Sequence, residues 1–469
     1  MNVELSQKVV LIFTPIDKKY QDAFTHYAPP LGLVALENFL FCHGITIKIL
    51  DGSIVYTKED IISYLLKEKP YYVGQSIQLI SYNNSLEIAE IVHSYGGVNV
   101  FGGHHATQMA ETILYNQRDL VDYVILGDGE EAWYGLLTDK SVKEIPNLAY
   151  YVKDRICVNP IHELNLNELP ILDYSRIDLK PYKERLAESN YSKGIYKNYL
   201  RFYSHKGCGN RIGGEGCIFC GRADRNVRFK TPELYWKDVL HCVNEEKADF
   251  IFDVGDDLLY SEKYLLKLFE TRPRNIASYD MGVFGRANRV NPHTAYLLHK
   301  IGVVNITIGF ESGDAEVLKS CNKLFSSPEQ NIFATDYLTR EGIDVTASYV
   351  LGMPGESKQS LKNTLYNAKE VYNMIVRRLG RPPMEMVVNL LEPTPGSPAY
   401  KSLVKAYPER YLMKDKLDLE EMQRDYFRYY FGLDTLQKYY KFRELLRKTA
   451  LEIHSWVGFS DAQGWLANE

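Results

Sequence analysis

KGCGNRIGGEGCIFCGR, residues 206–222, gathers three of the chain's seven cysteines, Cys208, Cys217 and Cys220, in one loop. A [4Fe–4S] cluster ordinarily takes four cysteine ligands, so three thiolates without a fourth leave one iron open to a ligand from outside the protein. The aromatic Phe219 stands directly before the last cysteine. Four of the eight residues between Cys208 and Cys217 are glycine, which lets a loop bulge and still return its ends to one centre. The same residue types admit a second reading, a structural zinc knot in which His205 completes a tetrahedral site.

Cys217-Ile218-Phe219-Cys220 resembles the end of the radical S-adenosylmethionine (SAM) signature, CX3CX2C with an aromatic residue before the last cysteine; here the first gap is eight residues. The resemblance implies a cluster on Cys208, Cys217 and Cys220, with Phe219 beside SAM. Later segments resemble the strands of the radical SAM barrel in the expected order. ADFIFDVGDD (248–257) is a buried-strand pattern ending in an acidic turn, similar to the place where the family holds the SAM amino group, which implies roles for Gly255 and Asp256. A carboxylate suits an ammonium. Arg286, in VFGRAN (283–288), is implied as partner of the SAM carboxylate. The apolar strand Val303–Phe310 runs into Glu311-Ser312-Gly313-Asp314, similar to the family's GxES segment at the SAM ribose and methionine part. YVLGMPGE (349–356) resembles the late strand that holds adenine, which points to Leu351.

Residues 201–398 alternate apolar strands with helical stretches, the pattern of parallel βα units, and the resemblance makes them a partial (β/α)6 barrel. In barrels of such units ligands sit at the carboxyl ends of the strands. Residues 1–145 read as a separate α/β unit, an open, Rossmann-like doubly wound sheet. Its strands are expected at Val9–Phe13, Ile45–Leu50, Tyr71–Ile77, Val98–Phe101 and Tyr123–Leu126, and its helices at Leu31–His43, Lys58–Lys69, Ser85–His93 and Thr107–Leu114. Ligands in such sheets lie beyond the strand ends, where Thr14, Ser76, Gly102-Gly103-His104-His105 and Gly127-Asp128-Gly129-Glu130 fall. These turns resemble the cobalamin-binding domain of the B12-dependent radical SAM enzymes, with its GGxHxT-like and GxGE-like turns, and the resemblance implies cobalamin contacts from Thr14, Ser76, Gly102, Gly103, His104 and Gly127 through Glu130. The chain has no DxHxxG segment, so a cobalt-ligating histidine from that motif is not expected.

Residues 146–200 read as a proline-punctuated connector and residues 399–469 as a helical domain crowded with tyrosine. That mixture of rings and basic groups suits either a grip on a peptide or aromatic substrate or, as amphipathic aromatic faces usually do, a cap over the open side of the barrel. Asn389, Glu392 and Tyr400 fall near the expected last strand end and are candidates for substrate contact. A net charge of −5 gives no global basic field, so extended nucleic-acid binding is not expected. Clustered cysteines in odd number suggest an intracellular metal protein and not a disulfide scaffold; Cys42, Cys157, Cys242 and Cys321 are expected as buried small apolar residues. The initial MNVELSQKVVLIF has an apolar run too short for a signal segment or a membrane span, so a cytoplasmic location is expected.

The resemblance implies three cofactors, a [4Fe–4S] cluster, SAM and cobalamin, together with an electron donor such as flavodoxin or ferredoxin. Its implied reaction is C-methylation of an unactivated carbon in a small molecule or peptide. The alternative is a radical SAM cyclase or ring-rearranging enzyme that uses cobalamin without methyl transfer. No residue is assigned as catalytic acid or base.

Overall fold

The apolar run VVLIF forms β1 (Val9–Phe13), whose side chains alternate between two cores as a strand's period of two requires. Val9 and Leu11 pack with Leu36, Leu40, Trp133 and Leu136 on one face, and Val10 and Ile12 with Ile61, Leu65, Ile88 and Val92 on the other. The computed structural model describes residues 9–23, 27–189, 194–212, 214–224, 226–323 and 325–457. The stretch before Val9, read above for a targeting segment, lies outside the described residues, as do residues 458–469 of the helical tail.

β2 (Lys48–Asp51), β3 (Tyr72–Ser76), β4 (Val98–Gly102) and β5 (Tyr123–Ile125) join β1 in parallel, in the order β2-β1-β3-β4-β5. All five expected strands are present, with β2 starting at Lys48 instead of Ile45. The helices are Leu31–Cys42, Lys58–Glu68, Tyr82–Ser94, His104–Asn116 and Glu130–Leu137. Helix His104–Asn116 begins three residues earlier than the apolar pattern suggests, because Gly103 at φ +92° turns the chain straight from β4 into the helix. The order places a switch of winding direction between β1 and β3, where such sheets bind ligands.

β6 (Leu148–Val152) and β7 (Arg155–Val158) extend this sheet antiparallel, inside the stretch read as a connector. Their turn is Lys153-Asp154, both at positive φ, a conformation that Asn-Gly or Asp-Gly ordinarily signals. The packing is close at Gly74, where a Cβ would stand 2.4 Å from Trp133 and 2.5 Å from Leu11. Gly74→Ala is expected to cost about 1–3 kcal/mol through overpacking, read as a lowered midpoint in chemical denaturation.

The second sheet is wholly parallel, ordered β8-β11-β12-β13-β14-β15, with β8 (Tyr199–Phe202), β11 (Phe250–Asp253), β12 (Asp280–Gly285), β13 (Val303–Glu311), β14 (Asp344–Leu351) and β15 (Met386–Leu390). A short antiparallel pair, β9 (His205–Lys206) and β10 (Arg228–Phe229), flanks the cysteine loop. Six parallel strands connected through helices are the half-barrel expected from the sequence. Thr231, Ser261, Asn291, Ser327 and Ser357 each accept a backbone N–H at the start of a crossover helix, a cap worth about 1 kcal/mol apiece.

The chain divides into two compact units, the first running through Ser189 and including Gly221–Asp224 and Tyr407–Leu417, the second made of the rest. Within the second, helix Leu436–Ser455 packs on β15 and helix Leu419–Phe431 packs against that helix. His454 Nε2 accepts the Val388 N–H at 3.2 Å, and Gln423 donates to the Leu391 carbonyl at 3.1 Å, which satisfies backbone groups at and just beyond a strand lying at the edge of its sheet. Phe427 meets Phe431, Tyr439 and Phe442 ring to ring, so these rings form a packed cap. Among the described residues no helix is long and apolar enough to cross a membrane.

Candidate cofactor sites at the strand ends

Two backbone hydrogen bonds close the cysteine loop. Arg211 N–H donates to the Cys208 carbonyl at 3.0 Å and Cys220 N–H to the Cys217 carbonyl at 2.9 Å. All three cysteines are free and half-buried. Burial pushes the Cys217 thiol up to about 12 and the Cys208 thiol upward as well, so these sulfurs ionise when a bound cation compensates the charge. A single zinc fits poorly. Its 2.3 Å bonds to sulfur draw ligand atoms closer together than 4.8 Å, and no three among Cys208, Cys217, Cys220 and His205 meet that limit. His205 is also committed elsewhere: Nδ1 lies 2.7 Å from Ser204 Oγ, and Nε2 accepts the Asp257 N–H at 2.9 Å. Three separated sulfurs suit the corners of a cluster.

Asp257 stands next to Asp256 and is not singled out by the sequence pattern. The doublet Asp256-Asp257 after β11 was the available signal, but which carboxylate turns inward depends on His205 anchoring the Asp257 amide. Asp256 is half-buried, whereas Asp257 is 1% exposed. Arg289 Nε stands 3.0 Å from Oδ2. Burial pushes the Asp257 carboxyl up to about 6, against the pull of Arg289 and Arg286. Arg289 and, at longer range, Arg286 compensate its charge, and a carboxylate of this kind also suits an ammonium.

Glu311 ends β13 at φ +61°, where the register with β14 shifts. A left-handed non-glycine residue is strained, and such strain clusters at functional sites. Its carboxylate pairs with Lys323 at 2.6 Å, both side chains nearly buried. Ser312 turns inward, its Oγ 3.1 Å from Thr364 Oγ1 and accepting the Asp314 N–H. Gly255 packs against His205, where a Cβ would stand 2.4 Å from Nδ1. Arg286 and Leu351 are buried at the ends of β12 and β14, and Phe219 is half-buried in the loop. Beyond β15 come Glu392, its carboxyl pushed up to about 7 by burial, and Tyr400, with Asn389 half-buried on the strand.

In the first unit Thr14 follows β1 and donates its N–H to the Ser76 carbonyl at the end of β3 (3.3 Å), so both flank the switch point. Gly103 is closely cradled, a Cβ there lying 3.0 Å from the Ile77 carbonyl and 3.1 Å from Ser76 Oγ. Above Gly102 and Gly127 a Cβ would meet open space, which leaves backbone accessible to a large ligand. Gly127 N–H is held by Thr107 Oγ1 at 3.0 Å, and Asp128 accepts Asn147 and Leu164 donors through its carbonyl and carboxylate. Gly129 caps the helix that begins at buried Glu130. His104 is exposed at a helix start, while His105 is buried against Tyr82 with Nε2 lacking a partner, and burial lowers it to about 4. Cys242 and Cys321 are buried as expected, but Cys42 is exposed and Cys157 half-buried; Cys42 ends its helix at the last turn, away from the apolar stripe.

Glu356 sits behind the β14 turn, accepting from Ser360 Oγ and from Gly352 N–H. Burial pushes its carboxyl up to about 7. A carboxyl whose folded value lies above its unfolded 4.5 binds more protons when folded, so its contribution to stability is lost as pH rises from about 4.5 through 7. His105 acts oppositely, losing stability as pH falls from 6.5 toward 4. Thermal melts between pH 5 and 8 are expected to show Glu356→Gln gaining on the parent as pH rises and His105→Phe gaining as pH falls.

Residues 20–137 match the model of the B12 binding domain and residues 203–366 that of the radical SAM superfamily. The uncharacterized methyltransferase PH0819 of Pyrococcus horikoshii is 22% identical over 377 residues, 78% of each chain. The anaerobic magnesium-protoporphyrin IX monomethyl ester cyclase of Rubrivivax gelatinosus is 22% identical over 73% of this chain and 62% of its own. The solved structure of the cobalamin-dependent S-adenosylmethionine radical enzyme OxsB with aqua-cobalamin bound superposes with a TM-score of 0.67 at 17% identity, over 88% of this chain and 63% of that one, and shows a shared fold. The chain thus spans less than two thirds of the cyclase and of OxsB. Both domain matches lie in the order and at the positions of the two sheets, and the chain belongs to the radical SAM enzymes that carry an N-terminal B12-binding domain.

Proposed function

We propose that the protein is a C-methyltransferase acting on an unactivated carbon of a small molecule or peptide. The observation that carries the methyl-transfer reading is the match to PH0819, named a methyltransferase, over the same 78% of both chains. When bound, the cluster and SAM supply a radical that abstracts hydrogen from carbon, and cobalamin supplies the methyl group. The chain's own residues bind and orient. Cys208, Cys217 and Cys220 would hold the cluster, and Phe219, in the same loop, would contact SAM. Asp257, beside Asp256 and Gly255, takes the SAM ammonium, Arg286 its carboxylate, Glu311 the ribose hydroxyls and Leu351 the adenine, while Ser312 keeps the Glu311 turn in shape through Thr364.

In the first unit Thr14, Ser76, Gly102, Gly103, His104 and the Gly127–Glu130 turn receive cobalamin, the glycines leaving room for it to approach the backbone. Buried His105 stays neutral within the core. At the last strand Glu392, raised to about 7 by burial, is placed to hold or release a proton near neutrality, with Asn389 and Tyr400 orienting substrate. A low-potential one-electron donor of the flavodoxin or ferredoxin kind supplies the electron. The cyclase relative favours a second reading, cyclisation or rearrangement without methyl transfer. Product mass separates them: a gain of one methylene unit supports methylation, and an unchanged or two-hydrogen-lighter skeleton contradicts it.

A further inference from the structure

Two side chains that follow Cys208, those of Asn210 and Arg211, reach the sulfurs of the other two cysteines. Asn210 Nδ2 donates to Cys217 Sγ at 3.3 Å and to the Asn322 carbonyl at 3.0 Å. Arg211 Nη1 donates to Cys220 Sγ at 3.3 Å and to the Cys220 carbonyl at 3.0 Å. We propose that Asn210 and Arg211 are hydrogen-bond donors to the cluster's cysteine sulfurs and raise its reduction potential. The inference rests on the reading that the three cysteines hold a [4Fe–4S] cluster.

The donors are held in place from several sides. The Arg211 stem runs beneath Gly216, where a Cβ would stand 2.8 Å from Arg211 Cγ and where φ is +76°, so only glycine lets the guanidinium reach Cys220. Asn322, itself at φ +56°, donates from its side chain to the Gly216 carbonyl at 2.8 Å, and Ile218 N–H donates to the Cys321 carbonyl at 3.0 Å. Asn210 thus joins Cys217 to the segment that follows β13 and the helix Ala315–Ser320.

The electrostatic consequence has a sign. Reduction adds one electron from a low-potential donor and takes the cluster core from 2+ to 1+, so the core with three thiolates passes from −1 to −2. Hydrogen bonds to the sulfurs are among the determinants of cluster potential, and donors, above all a charged one, favour the more negative state. Around Cys208 the charge of Arg286 is opposed by Asp257 and Asp256, and around Cys217 that of Lys323 is opposed by Glu311. Asn210 and Arg211 add to the positive side of that balance at the sulfurs themselves and keep the couple within reach of a biological donor.

The test uses the anaerobically purified full chain without SAM, as the parent and as Arg211→Leu, Arg211→Gln and Asn210→Leu, with iron analysis and a redox titration followed by paramagnetic resonance. Four irons should remain in each. Arg211→Leu should lower the reduced-to-oxidised ratio at a fixed potential about tenfold, equivalent to about 59 mV for one electron, with a smaller fall for Arg211→Gln, which keeps a donor. Unchanged potentials with iron retained would overturn the inference, as would loss of iron from all three variants, which would make the loop merely structural. A parent protein without iron would remove the cluster reading and this inference with it.

Discussion

Cys217→Ala is expected to strip the protein of its iron and to end 5′-deoxyadenosine formation under reducing conditions. Three thiolates are the fewest that hold three corners of the cluster, and no other cysteine can substitute. Cys321, which lies close by, is fully buried with its thiol turned to the Leu318 carbonyl at 3.1 Å, and Cys242 lies in the core. Cys321→Ala is the matched control. It removes a buried sulfur of similar environment and should keep four irons, with a stability cost only. Iron retained in Cys217→Ala, or lost equally in Cys321→Ala, would contradict the assignment of the loop.

The second large effect is expected at Asp257. A charge-assisted hydrogen bond contributes about 1.5–3 kcal/mol, so Asp257→Asn should weaken SAM binding by roughly ten- to a hundredfold, measured by equilibrium dialysis or by the change that SAM causes in the cluster spectrum. The substitution keeps shape and removes charge, at a cost in stability from the lost pairing with Arg289, so a thermal melt accompanies the binding measurement. Asp256→Asn should act more weakly, because its carboxylate is the more exposed of the two. The reverse order of effects would return the ammonium to Asp256.

The architecture was legible wherever apolar periodicity and motif agreed. The alternation at Val9–Phe13 and the unbroken burial of Phe250–Asp253 carry the two sheet types on their face, and the spacing of Gly102-Gly103 and Gly127 through Glu130 located loops at strand ends. β6 and β7 were hidden because Lys153-Asp154 makes their turn without the residues that normally mark one. Asp257 was hidden for a different reason: two adjacent carboxylates look alike in sequence, and a distant histidine decides which one is buried. The Asn210 and Arg211 contacts to sulfur depend on a loop conformation that no local pattern encodes.

The central claim, a four-iron cluster and a corrinoid in one chain, is tested most directly by iron, zinc and cobalt analysis with the visible spectrum of protein purified without oxygen. The account predicts four irons and one corrinoid per chain. Iron without cobalt would leave a radical SAM enzyme and remove the methyl donor. Stoichiometric zinc without iron would contradict the account outright.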